Sequence, residues 1–177
     1  VEAAARGHQV DLFERSGSVG GKIIPGGAPK IKYEVENYRR YLEKLLKDAE
    51  EGGSVKTYFN TEASPEQLQK RGYDSIVFAV GTRAVSPRIP GIDKGKTVQA
   101  IDLLCDINLA GQAKDIVVIG GGVVGCETAY WLNYEHGRNV TVVEMLPNLM
   151  DGTCTANRGH LIHYLQKAGV TLLNCAK

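Results

Sequence analysis

The stretch DIVVIGGGVVGCETAYWLNYEHGRNVTVVE, residues 115–144, decides the fold. Ile116, Val117, Val118 and Ile119 form a short apolar run, read as a strand buried on both faces, which enters Gly120, Gly121 and Gly122 directly. Gly125 completes the pattern G-x-G-x-x-G, with Val123 and Val124 at its variable positions. Helical spacing continues through Ala129 and Leu132 and breaks at Gly137. Val140, Val142 and Val143 then make a second apolar strand that ends on Glu144. The order is strand, glycine turn, helix, strand, acid. A bare glycine pattern is weak evidence, but this full order is what a dinucleotide-binding turn requires.

Each part has a physical task in such a site. Gly120 permits the tight turn, Gly122 lets a pyrophosphate approach the backbone, and Gly125 lets the helix pack closely on the strand. The pyrophosphate meets the free N–H groups at the start of the helix, around Gly121, Val123 and Val124. Glu144 lies where a carboxylate accepts the two hydroxyls of an adenine ribose. A carboxylate there repels a 2′-phosphate, and no Lys or Arg occurs between Met145 and Asn157, so NAD(H) is expected rather than NADP.

The chain has 177 residues, enough for one domain or two small ones, and 43% of them are hydrophobic, enough for a packed core. Lys plus Arg number 21 and Asp plus Glu 20, scattered along the chain, so no basic footprint for nucleic acid or an anionic membrane appears. No apolar run reaches membrane-spanning length, and no signal peptide is expected before the first strand. Cys105, Cys126, Cys154 and Cys175 are too dispersed for C-x-x-C metal or redox pairs. Reduced thiols in a cytoplasmic protein are the expectation.

The N-terminal residues 1–5 read as the last turns of a helix, ended by Arg6, Gly7 and His8. Val10, Leu12 and Phe13 then form a strand that also ends on an acid, Glu14. Gly7, Val10, Leu12, Phe13 and Glu14 fall on Gly137, Val140, Val142, Val143 and Glu144 at a constant offset of 130. This spacing is too long for a solenoid repeat and reads as two copies of one nucleotide-binding unit. The same offset would put the first copy's glycine turn roughly ten to five positions before Val1, by analogy with the second copy. The expectation is a fragment, consistent with the lack of an initiator Met. Residues 1–95 would form a partial unit lacking its first strand and glycine turn. Residues 96–177 would form a nucleotide-binding unit cut short at its C-terminus.

Between the two acids, residues 15–22 form a turn-rich loop in which Gly20 and Gly21 allow close approach to a ligand. Over residues 34–49, Val35, Tyr38, Leu42, Leu45, Leu46 and Ala49 keep to one helical face. Gly52 and Gly53 end that helix, a short strand follows over 55–59, and Ser64 caps a short helix over 65–70. Residues 73–80 read as a buried strand ending in Gly81 and Thr82. Residues 83–95, rich in proline and glycine, read as a connector. A helix near 100–107 precedes the glycine unit. After Glu144 come a loop marked by Pro147 and Gly152, a helix over 158–167 and a strand over 170–173.

The order RGHQVDLFE, SVGGK, YDSIVFAVGT, RIPGID, IVVIGGGVVGCETA, VTVVE resembles the pyridine nucleotide-disulfide oxidoreductase superfamily, over nearly the whole chain. It is similar in particular to the C-terminal region of NADH:flavin oxidoreductases of the 2-enoate and 2,4-dienoyl-CoA reductase type. The resemblance implies an α/β, Rossmann-like three-layer fold in which an NAD-binding unit follows part of an FAD-binding unit. It implies that Glu14 holds the FAD ribose, Gly20 and Gly21 approach FAD, and Gly81 and Thr82 lie along the flavin. It also implies that Glu127 matches an acid kept near the nicotinamide and flavin. A helix-dipole role explains Glu127 equally well. The disulfide reductases carry a C-x-x-x-x-C pair after the double glycine, and no cysteine occurs between Gly21 and Phe59, so their disulfide chemistry is not expected.

In the implied family, electrons pass from NADH to FAD, then through a 4Fe-4S cluster to FMN, and finally to a carbon–carbon double bond conjugated to a carbonyl. The FMN barrel and cluster would lie in a parent polypeptide outside these residues. Hydride transfer is a property of the two cofactors, so no side chain is named as acid, base or nucleophile. The isolated chain is expected to be inactive. A non-catalytic ADP-binding domain, as in the related amine dehydrogenases, is the alternative. Cys126 reads as a small buried residue, and Cys154, His160 and His163 match no metal-ligand pattern. Tyr38, Tyr41 and Trp131 read as packing residues. A homo-oligomer is compatible with the sequence, which does not give the assembly state.

Overall fold

The computed structural model describes residues 1–176, which divide into two compact units. The first comprises Val1–Gly27 and Tyr33–Arg83; the second comprises Ala28–Lys32 and the chain from Ala84 onward. The second therefore takes in the proline- and glycine-rich stretch 84–95 and a five-residue strap drawn from within the first unit's sequence.

In the first unit, α1 (Glu2–Ala5) ends at Gly7, whose φ of +91° is left-handed, and leads into β1 (Val10–Phe13). A short turn of helix, α2 (Ile23–Gly26), precedes the long helix α3 (Tyr33–Glu51), and β2 (Val55–Tyr58) pairs in parallel with β1, Val10 opposite Val55 and Phe13 opposite Tyr58. The inward residues of the strands and of α3 make a small core of Ala4, Leu46 and Val55 with Val10, Leu12, Val19 and Ala49 around it. Charges on α3 pair along the helix, and the part-buried Arg39 bridges Glu36 and Glu43.

The other face of β1 and β2 carries Asp11, Phe13 and Tyr58. There α4 (Pro65–Arg71) is held by polar and cation–π contacts rather than apolar burial. Phe13 and Tyr58 stack at 4.8 Å, and the Arg71 guanidinium lies 4.6 Å from the Tyr58 ring centre while donating to Asp11 at 2.9 Å. The expected cap at Ser64 is present as a reciprocal pair: the Gln67 N–H donates to the Ser64 hydroxyl and the Gln67 side chain accepts the Ser64 N–H. Gly72 ends the helix at φ +65°.

The second unit holds α5 (Ala100–Cys105), β3 (Asp115–Ile119), α6 (Val123–Tyr134), β4 (Asn139–Val143), α7 (Thr155–Lys167) and β5 (Thr171–Leu173). The strands lie in the order β3-β4-β5, all parallel, as βαβ crossovers demand. Helix α6 is predominantly apolar, and six of its twelve residues are buried while Val124 and Tyr134 stay exposed. Cys126, Ala129, Trp131 and Leu132 are buried in a core completed by Val140, Val142, Leu165 and Val170. Full burial of a side chain such as Leu132 or Leu165 contributes about 1.5–3 kcal/mol over exposure. The α/β fold with parallel sheets is the Rossmann-like class expected from the sequence.

Two strand readings require correction. Residues 116–119 are covered on one face only: Ile116 and Val118 pack on the core, while Val117 is 62% and Ile119 55% exposed. A continuous apolar run cannot say which of its faces has a neighbour. Residues 73–80, read as a buried strand, pair with no strand among the described residues, and Val77 and Phe78 are 89% and 76% exposed. Apolar composition signals a tendency to be buried, but a strand exists only where a neighbouring edge accepts its backbone groups.

Candidate functional site

The glycine turn is a set of steric necessities. Gly120 has φ +103°, a backbone state that side chains disfavour, and its N–H donates to the Val143 carbonyl at 2.9 Å, fixing the turn against the end of β4. A Cβ at Gly125 would stand 1.9 Å from the Gly120 carbonyl oxygen. A Cβ at Gly121 would stand 2.2 Å from a Leu149 methyl carbon. At Gly122 the same test meets nothing within 4 Å. Gly121 and Gly125 are thus demanded by the protein's own packing, whereas Gly122 is required by nothing inside the chain and faces open space.

Gly122 is also the N-cap of α6 and no side chain caps the helix, so its first-turn N–H groups are open. Val123 and Val124 beside it are exposed at 36% and 51%. An uncapped helix start at the lip of a glycine turn is a cradle for a doubly charged phosphate group.

Glu144 closes the turn from the other side. One of its carboxylate oxygens accepts the Gly121 N–H at 2.7 Å and the other accepts the Leu146 N–H at 2.8 Å. These backbone donors, Leu146 first and Gly121 second, hold its carboxyl below the usual carboxylate range. Each oxygen retains a further lone pair for an outside donor such as a ribose hydroxyl.

The first unit repeats this network. Glu14 accepts the Ser16 N–H and hydroxyl, each at 2.8 Å, and its carboxyl is likewise lowered, chiefly by the Ser16 backbone N–H. The Glu14 carbonyl accepts the Thr61 N–H and the Glu144 carbonyl the Ala176 N–H, both at 3.0 Å. The Ser16 carbonyl accepts from Asn60 at 3.0 Å and the Leu146 carbonyl from Cys175 at 3.2 Å. Asn60 and Cys175 both have left-handed backbones, φ +52° and +55°. The two copies thus share the acid, its hydrogen-bonded neighbour two residues on, and a strained residue just after the adjoining strand.

Also in the first unit, Gly20 and Gly21 have φ +118° and +46° and lead into α2, and Gly81 has φ +70°. Lys22, next to the double glycine, donates a hydrogen bond to the Thr82 hydroxyl, bringing these two segments together. A cleft of about 310 Å³ opens beside Gly17, Ser18 and Val19, in the loop that follows Glu14.

Glu127, in the second turn of α6, forms an ion pair with Lys32: the ammonium nitrogen lies 2.7 Å from its carboxylate. Sequence reasoning missed Lys32, which lies 95 positions away. It also missed the clasp over the turn formed by Leu149 and Met150, both 3% exposed. The Met150 N–H donates to the Gly121 carbonyl at 2.7 Å, and the Arg158 side chain holds the Leu149 carbonyl at 2.8 Å. The only hint was an apolar pair inside a loop marked by proline and glycine.

Cys126 is wholly buried beneath the turn, its thiol against the Gly121 carbonyl at 3.4 Å, and burial pushes it up to about 11. It is a packing group. No cluster of three or more potential metal ligands occurs among the described residues, and His160 and His163 are exposed on α7. All four cysteines are free thiols, and no described helix is long and apolar enough to cross a membrane.

The turn, the open helix start and the duplicated acid define an α/β dinucleotide-binding protein. The sequence pattern of the pyridine nucleotide-disulphide oxidoreductases matches residues 1–176, and the chain belongs to that family. It is 36% identical to the cinnamate reductase of Clostridium sporogenes over 167 residues, 93% of this chain and 24% of that protein. It is 34% identical to the NADH oxidase of Thermoanaerobacter brockii, over 97% of this chain and 26% of that one. The structure of a 2-naphthoyl-CoA reductase in complex with 2-naphthoyl-CoA superposes at TM-score 0.86 with 26% identity, covering 98% of this chain and 25% of the other. Histamine dehydrogenase from Rhizobium sp. 4-9 shares the fold, at TM-score 0.70 and 20% identity. The chain spans about a quarter of the length of these relatives. Membership places it among oxidoreductases and implies a flavin and a nicotinamide dinucleotide as cofactors.

Proposed function

We propose that this chain is the nucleotide-binding module of an oxidoreductase that passes a hydride from NADH to FAD, for onward reduction of an enoate-type carbon–carbon double bond. The observation that carries this reading is the duplicated acid network at Glu14 and Glu144, one copy of which adjoins a glycine turn whose open position, Gly122, leaves room for a ligand against the backbone. Two nucleotide sites in one chain suit electron entry through a pair of cofactors. The names cinnamate reductase and 2-naphthoyl-CoA reductase, both denoting unsaturated carbon next to a carbonyl, support the downstream step.

When both cofactors are bound, they supply the hydride chemistry themselves; the chain's residues bind and orient. The open N–H groups of α6 and the backbone at Gly122 would receive the NADH pyrophosphate, and Glu144 would receive its adenine ribose. Glu14 would take the FAD ribose, with Gly20, Gly21, Gly81 and Thr82 along the flavin. An FMN barrel and a 4Fe-4S cluster would belong to other parts of a larger protein. The test is NADH oxidation by the full-length protein, which should greatly exceed NADPH oxidation. Equal rates would reject the NAD assignment.

A second reading is a domain that holds an ADP moiety and delivers no hydride, as the likeness in fold to histamine dehydrogenase allows. It is favoured by the makeup of the second site, which consists of backbone groups and one ribose-binding acid. Bleaching of the bound flavin on addition of NADH to the full-length protein separates the two readings.

A further inference from the structure

We propose that Arg158 is a positioning residue for the dinucleotide site, acting on the Gly122 N–H through two intervening peptide groups. This rests on the reading of residues 120–125 as the NADH turn.

Three successive peptide planes of the turn are pinned by hydrogen bonds. The Gly120 N–H donates to the Val143 carbonyl at 2.9 Å and the Gly121 N–H to the Glu144 carboxylate at 2.7 Å, so the end of β4 fixes the first two. The third plane, between Gly121 and Gly122, is held from the clasp. Its carbonyl accepts the Met150 N–H at 2.7 Å, with only the weak thiol donor of Cys126 beside it. In a trans peptide the C=O and the N–H point in opposite directions. The clasp therefore aims the Gly122 N–H away from itself, and that N–H meets no acceptor among the described residues.

The Met150 N–H belongs to the same peptide group as the Leu149 carbonyl, which accepts Arg158 Nε at 2.8 Å. One line of donors results, from the Arg158 guanidinium through the Leu149–Met150 peptide and the Gly121–Gly122 peptide to the open cradle. Each hydrogen bond in such a line polarises the next, and a cation at its head strengthens them all. Leu149 and Met150 are both 3% exposed and Gly121 is buried, so water is excluded along the line. Met150 has φ +51°, a left-handed state that its side chain disfavours, so the clasp does not form from local preference. It is held by burial of its two side chains and by Arg158, which projects from the first turn of α7.

The test follows amide resonances and ligand affinity in the Arg158→Met chain. Without ligand, the Met150 and Gly122 amide protons should shift upfield, while the Gly120 amide, bonded to Val143 outside the line, stays in place. NADH affinity should fall by about fivefold, the worth of one ordinary hydrogen bond, whereas adenosine, which has no phosphate, should bind as before. Arg158→Lys, which keeps a cation and a donor, should recover most of both signals. Circular dichroism confirms that each variant is folded, and an Arg158→Met chain that unfolds is replaced by Arg158→Gln. Unchanged NADH affinity in the folded variant overturns the proposal. Weakened NADH binding with unmoved Met150 and Gly122 resonances overturns it too, since Arg158 would then act by touching the ligand itself. If the unsubstituted chain binds no NADH, the underlying site reading fails and the proposal falls with it.

Discussion

The Glu144 carboxylate takes the Gly121 N–H at 2.7 Å with one oxygen and the Leu146 N–H at 2.8 Å with the other, so the acid at the end of β4 is also a brace for the glycine turn. Glu144→Ala then has two separable effects. It leaves the buried Gly121 N–H unpaired, costing about 1–3 kcal/mol and lowering Tm by several degrees. It also removes the group that would repel a 2′-phosphate, so the NADH-over-NADPH preference in binding should fall. Paired melting and titration curves check both. A lower Tm with unchanged preference would leave Glu144 a purely structural residue.

Gly122 and Gly125 make a contrasting pair. A Cβ at Gly125 collides with the Gly120 carbonyl at 1.9 Å, so Gly125→Ala should destabilise the unit by about 1–3 kcal/mol or more. At Gly122 a Cβ meets nothing within 4 Å and the backbone, at φ −70°, accepts any side chain. Gly122→Ala should therefore melt within about 0.5 kcal/mol of the unsubstituted chain while losing NADH affinity by about tenfold or more. Normal NADH binding in a folded Gly122→Ala chain would refute the placement of the pyrophosphate.

Much of this site was legible because its signals are local. The glycines, the apolar strands beside them and the terminal acids lie within thirty residues, and the offset linking Glu14 to Glu144 needs only counting. What stayed hidden depends on partners far apart in sequence. Lys32 meets Glu127 only because the strap folds onto α6, and Leu149 and Met150 reach the turn only because their loop turns back over Gly121. The left-handed residue after the adjoining strand is Asn60 in one copy, a type suited to that backbone, but Cys175 in the other, which gives no sign of it. Residues 73–80 were misread for the complementary reason: composition reports what would gain from burial and not whether a neighbouring strand exists.

The two lowered acids make a pH prediction. Glu14 and Glu144 have folded values below their ordinary 4.5, so the unfolded chain binds protons first as pH falls. Their stabilising contribution is complete above the ordinary carboxylate range and is lost as pH falls through the lowered values. Thermal stability should thus be insensitive to these groups from about pH 8 to 6 and decline below about pH 4. Glu14→Gln/Glu144→Gln should flatten that acid limb relative to the unsubstituted chain, as followed by Tm against pH. An identical acid limb in the double variant would show that the N–H contacts do not hold the two carboxylates in solution.

Cys126 tests the packing under the turn. It is 0% exposed, with its thiol raised to about 11 by burial first and the nearby Glu144 and Glu127 charges second. Cys105, Cys154 and Cys175 are exposed. Iodoacetamide at pH 7.5 should label those three in the folded chain and leave Cys126 unmodified, whereas all four should react in denaturant. Peptide mass mapping reads the sites. NADH bound at the turn should leave this pattern unchanged, because Cys126 is already inaccessible and lies beneath the backbone rather than in the cradle. Native-state modification of Cys126 at the rate of the exposed thiols would mean that the Gly121, Leu149 and Met150 clasp opens readily, and with it the rigid turn on which the dinucleotide reading depends.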